Sequence, residues 1–197
     1  MQRSKSLSAS LMGALVALGG IASGTAGWAA TPAPSGQVVT GEWQHRQVRF
    51  NYFGITSLYS CDGLESNVRR LLLHLGARKD ARVNAKGCPR GSSVPSRNAF
   101  IDTDFYTLVP SSAARDTVQA QWMPVLVNST HPSFMGRGDC ELIDEMKDLI
   151  SKNFSLREVD YRADCVPHQV NIDDFAIKAQ VLKELPAPPE PRAAKVY

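Results

Sequence analysis

The 197-residue sequence carries little excess of either charge, with 22 Lys and Arg set against 19 Asp and Glu. Without a basic surplus or a dense Lys/Arg run there is no electrostatic case for nucleic acid or for an anionic membrane surface, and no nucleic-acid partner is expected. No two of the four cysteines stand as Cys-x-x-Cys, so the spacings of thiol-disulfide oxidoreductases and metal fingers are missing. Also missing are a Gly-x-Ser-x-Gly elbow, a His-Glu-x-x-His pair, a phosphate-cradling glycine loop and a Ser-x-x-Lys with its partner motif. These absences lower the expectation of catalysis without removing it, because catalytic groups can converge from distant positions. A composition of 43% hydrophobic and 21% charged residues excludes a disordered, collagen-like or coiled-coil chain and leaves a folded domain.

The first thirty residues have a layout of their own. Arg3 and Lys5 precede an uncharged run over 7–21, and small residues follow up to Ala26, Ala29 and Ala30. This is the pattern of a secretory signal peptide, residues 1–30; the run is short for a spanning helix and Gly19 and Gly20 interrupt it. No transmembrane segment is expected after cleavage, and the absence of Cys before Cys61 excludes a lipid-modified cysteine near the cut. Residues 31–42 read as a flexible linker and 186–197 as a disordered Pro-rich tail. What remains, 43–185, suits one domain with one core.

Within that span the chain repeats a pattern, with half-repeats over 43–110 and 115–185. Leu64, Val68, Leu71 and Leu72 recur 78 positions later as Leu142, Met146, Leu149 and Ile150, while Cys61 and Cys88 recur as Cys140 and Cys165 with a slip of one residue either way. Each half reads as strand, helix, strand, strand. Val48, Phe50 and Tyr52 alternate with polar residues, a helix runs over 62–75 and stops at Gly76, and strands follow near Ala81, Val83 and Ala85 and over 100–109. The second half offers Val118, Ala120 and Trp122, a helix over 141–152, then Val159, Tyr161 and Ala163, then Phe175, Ile177, Ala179 and Val181. The expected fold class is α+β: a two-layer sandwich with two helices on one face of a mixed sheet of about six strands, built by a β-α-β-β duplication.

Four cysteines in an exported chain imply two bridges, with three connectivities open. The repeat favours Cys61–Cys88 and Cys140–Cys165. So does length, since a returning strand brings its end back beside the first turn of the preceding helix. Asp102 and Asp104 fall on one face of a strand, where they can bind a cation, serve acid-base chemistry or simply face solvent beside Arg49, Asn51, Gln119, Gln121, Lys178 and Gln180. His131 with Met135, or His168 beside Cys165, could hold copper or zinc, but each is too few residues for a site. Arg137-Gly138-Asp139 is read as turn-and-cap chemistry before a helix.

The stretch Tyr59-Ser60-Cys61-Asp62-Gly63-Leu64-Glu65, continuing to Leu75-Gly76-Ala77, resembles uncharacterised secreted proteins of proteobacteria. The resemblance implies an envelope location and no assigned activity. The function expected is therefore that of an exported, periplasmic or secreted protein acting as a non-catalytic binding or structural module of the cell envelope, without a cofactor. The alternatives are an extracytoplasmic hydrolase using Asp102 and Asp104, and a metal-handling protein. Asp62, Arg137, Asp102 and Asp104 are the candidate ligand-binding residues. The partner would be an envelope protein or a small anionic ligand, drawn to helix N-termini exposed between the loops 54–60 and 128–139.

Overall fold

The amphipathic runs form two helices and the alternating runs form six strands, in the order β1 (Val38–Phe53), α1 (Cys61–His74), β2 (Arg82–Lys86), β3 (Asn98–Pro110), β4 (Thr117–Asn128), α2 (Cys140–Asn153), β5 (Leu156–Asp164) and β6 (Asp174–Glu184). The structure is a computed structural model that describes residues 36, 38–88, 94–113, 116–172 and 174–186, all within one compact unit. The signal peptide expected over 1–30, and the tail from 187 onward, lie outside the described residues.

One sheet has the order β2-β3-β1-β4-β6-β5, and every neighbouring pair is antiparallel. The expectation of a mixed sheet is corrected here. β1 and β2 run parallel to each other across α1, but β3 is inserted between them and opposes both; β6 does the same for β4 and β5. Each half thus has the order β-α-β-β in sequence, with its last strand in the middle of its three.

Both helices lie on one face of the sheet and share its core. Leu64, Val68, Leu71 and Leu72 of α1 pack with Leu142, Ile143, Met146, Leu149 and Ile150 of α2 against Tyr52, Ile101, Phe105, Val127, Phe175 and Ile177 from the strands. The i, i+4, i+7 spacing of these apolar residues directs them to that face. α1 begins at Ser60, whose hydroxyl accepts from Gly63 N, and ends where Gly76, at φ 97°, lets Ala77 N reach Leu72 O and Gly76 N reach Leu73 O. The two helix ends are also capped across the halves. Lys183 Nζ of β6 donates to His74 O at 2.7 Å, and Thr107 Oγ1 of β3 donates to Asn153 O at 2.9 Å.

The domain starts earlier than the expected boundary at Trp43. Residues 38–42, read as linker, pair with β4 over Val38–Glu42, and at Gly41 the backbone runs so close to its neighbours that an added Cβ would meet Ala120 Cβ at 3.2 Å and Leu108 Cδ2 at 3.3 Å. Gly41 lies over a small second core on the helix-free face, formed by Leu108, Ala120, Trp122 and Leu182, with Arg157 stacked 3.9 Å from the Trp122 ring. Gln119 and Gln121 therefore point to the helix side, because Thr40 and Val38, their register partners, belong to the opposite parity from Gly41. Val159 is 52% exposed instead of buried, because a bulge at Glu158, φ 52°, breaks the alternation of β5.

The disulfides join Cys61 to Cys88 and Cys140 to Cys165, with Cα separations of 5.8 and 5.6 Å. Each clips the first turn of a helix to the end of the following strand. No helix among the described residues is long and apolar enough to cross a membrane.

Candidate functional site

A groove of about 400 Å³ crosses β1, β3 and β2 on the helix-free face. Its form follows from strand alternation. Val48, Thr103 and Val83 are register partners whose side chains turn toward the helices, so their backbone forms a low floor. The flanking rungs rise on either side: Gln47, Asp104 and Arg82 make one wall, and Arg49, Asp102 and Asn84 the other.

The two carboxylates are held by neighbours on the same face. Asp102 accepts from Lys86 Nζ at 2.8 Å and from Arg49 Nε at 2.5 Å. Asp104 is bonded to His45 Nε2 at 2.8 Å and accepts from Gln47 Nε2 at 3.1 Å. The Lys86 bond, then the Arg49 bond, holds Asp102 below its ordinary value of 3.8; the His45 bond, then that of Gln47, does the same for Asp104. Arg82 adds a longer-range pull on Asp104 but is bonded to no carboxylate among the described residues. Beyond the walls stand aromatic rungs. Tyr106 and His45 lie on one side with ring centroids 4.8 Å apart, and Phe100, 54% exposed, lies on the other beside Lys86 and Asn51.

Such a site can recognise polar ligands, and neither carboxylate is suited to act as a general acid at neutral pH. Both carboxylates stay ionised through the neutral range, and Thr103, the hydroxyl residue of the floor, donates to Val48 O at 2.8 Å. The four cysteines are all bridged.

The loops before the two helices do come together, as expected from the repeat. Ser57 Oγ donates to Gly138 O and Tyr59 OH donates to Asp139, while His168 N, from the connection between β5 and β6, donates to Thr56 Oγ1. Glu141, in the first turn of α2, accepts from three successive amides of the other loop, Ile55 N at 3.0 Å, Thr56 N at 2.9 Å and Ser57 N at 3.1 Å. Three amides of that loop are thus taken by a carboxylate of the chain itself, and in the first turn of α1 Gly63 N is taken by Ser60 Oγ. Burial, and then the Asp139 charge, raises the Tyr59 phenol well above the ordinary range, so Tyr59 remains a donor.

The four candidate ligand-binding residues separate. Asp102 and Asp104 meet in the groove, Asp62 is exposed in the first turn of α1, and Arg137 donates to Asn171 O at 2.7 Å at the loop end. Asp139 is buried on Tyr59 and on Gly136 N, so Arg137-Gly138-Asp139 is a 3₁₀ turn rather than a displayed tripeptide. The proposed soft-metal residues also separate: Met135 is 6% exposed in the core while His131 is exposed and meets His74, with ring centroids 5.9 Å apart. Among the described residues no group of three His, Cys, Asp or Glu could hold a metal ion. Sequence reasoning missed His45, Gln47, Arg82, Asn84 and Lys86. Their common signal is register, since each shares a rung or a diagonal with Asp102 or Asp104 once β1, β3 and β2 are aligned.

The chain matches no family model, no curated protein and no solved structure.

Proposed function

We propose that this protein is an exported, non-catalytic binding module of the cell envelope, and that the groove on β1, β3 and β2 is its ligand surface. The observation that carries this reading is the state of the carboxylates. Asp102 and Asp104 are each hydrogen-bonded by basic or amide groups and held ionised, an arrangement suited to fixed recognition and unsuited to a general acid. Export is supported by the signal-like residues 1–30 and by two disulfides, which persist in oxidising compartments. The resemblance of the segment around Cys61 to secreted proteobacterial proteins agrees with it.

We further read the halves as products of a duplication. The supporting features are the identical β-α-β-β order, the sheet order that is the same from either edge, and the reciprocal caps of Thr107 on α2 and Lys183 on α1.

A screen of the disulfide-bonded protein by amide NMR against peptides, lipid headgroups and glycans tests the binding reading. A ligand whose shifts map to β1, β3 and β2 and which is recovered chemically unchanged supports it. Turnover of any such compound, lost in Asp104→Asn, contradicts it and restores the hydrolase alternative.

A further inference from the structure

The groove's side chains have a composition that narrows its ligand. Along each wall a carboxylate alternates with planar donors: the Gln47 amide and Arg82 guanidinium flank Asp104, and the Arg49 guanidinium and Asn84 amide flank Asp102. Cross-strand neighbours on one face stand ~5 Å apart, so donors and acceptors alternate at short intervals on both sides of a shallow trough. Vicinal hydroxyls of a sugar ring each donate and accept, and planar carboxylates, amides and guanidinium groups match them in pairs. The exposed Phe100 ring beyond one wall offers a flat apolar surface for the C–H face of a sugar.

An extended peptide lying in the trough would find no strand edge to pair with, because β3, at its centre, is paired on both sides by β1 and β2; β1 pairs with β4 only over Val38–Glu42. The outer edge of β2 is itself occupied by α1, where Glu65 accepts from Ala85 N at 2.8 Å and Arg69 Nε donates to Ala81 O at 2.9 Å.

Charge narrows the ligand further. Lys86 and Arg49 share Asp102, and His45 and Gln47 hold Asp104, which leaves the Arg82 guanidinium in the groove wall without a bonded carboxylate among the described residues. We propose that the groove binds an oligosaccharide bearing carboxylates, with Arg82 taking a sugar carboxylate, the Asp, Asn and Gln side chains taking ring hydroxyls, and Phe100 stacking under a neighbouring ring. The proposal rests on the binding-module reading above and names its ligand class. Two envelope sources share this chemistry: uronic-acid polymers and peptidoglycan strands whose lactyl carboxylates have been freed of their stem peptides.

Amide NMR titration of the disulfide-bonded protein with tetragalacturonic acid, a soluble muramyl glycan fragment and neutral chitotetraose tests the proposal. The expected result is saturable shifts at Gln47, Arg49, Arg82, Asn84 and Phe100 with one or both acidic glycans, the stronger of the two identifying the source. Chitotetraose should bind about tenfold more weakly. Arg82→Ala should weaken the acidic glycan by about tenfold and chitotetraose by much less, and Phe100→Ala should weaken both. Equal binding of neutral and acidic glycans, or full affinity in Arg82→Ala, overturns the assignment to acidic sugars. If no glycan shifts these residues while another compound class does, the glycan proposal falls and the binding module stands; if nothing shifts them, both fall.

Discussion

Glu141 joins the two halves through a single side chain. Its carboxylate satisfies three successive amides of the 54–60 loop, so Glu141→Ala leaves those donors without their acceptor and should cost about 2 kcal/mol in urea unfolding, with Glu141→Gln costing less. Gly54 is constrained in another way. A Cβ there would sit 2.0 Å from Ser57 O and 2.4 Å from Tyr52 OH, the two groups that bond each other at 2.6 Å. Gly54→Ala must push that bond apart and should lower the urea midpoint, with the loss read at the Tyr52 and Ser57 resonances. His74 makes stability depend on pH. Burial holds its imidazole below the ordinary 6.5, the Lys183 and His131 charges act in the same direction, and the Leu126 carbonyl opposes them. As pH falls through 6.5 the unfolded chain takes up a proton that the folded chain refuses, so stability drops until the lower folded value is passed. Unfolding at about pH 7.5 and about pH 5.5 should show this loss, and His74→Gln should reduce it.

At the scale of elements, what could be read from sequence depended on whether a pattern was local. Both helices follow from apolar spacing, and the end of α1 follows from Gly76. The disulfide partners follow from the repeat and from helix and strand lengths. The start of β1 could not be read this way, because Val38 to Glu42 is held by pairing with β4 and by the close approach at Gly41, neither of which shows as alternation. The exposure of Val159 depends on a bulge, and the side of the sheet taken by Gln119 depends on register with β1. The groove was half legible: Asp102 and Asp104 with Arg49 lie within two clear strands, whereas Arg82, Asn84 and Lys86 join them only through the pairing of β2. Each bridge closes a loop of similar length, 27 and 25 residues apart in sequence. Replacing either pair, Cys61→Ser with Cys88→Ser or Cys140→Ser with Cys165→Ser, should therefore cost a similar amount, roughly 3 kcal/mol by urea unfolding.

Across the whole molecule the two faces of the sheet divide the work. The helix side holds the main core, and each helix ends against a side chain from the other half, so the halves should unfold together. Thr107→Val and Lys183→Met remove one cap each and should each cost about 1 kcal/mol while leaving a single cooperative transition by far-UV circular dichroism and fluorescence. The helix-free side is left to carry ionised, paired side chains around a groove. That surface functions by recognition only if its carboxylates keep their charge at neutral pH. The direct measurement is a carbon-detected NMR titration of the Asp102 and Asp104 carboxyl groups in the disulfide-bonded protein. Both should titrate below 3.8 and show no step in the neutral range; a neutral-range titration of either one would contradict the assignment of this groove to binding and place an acid-base group in it.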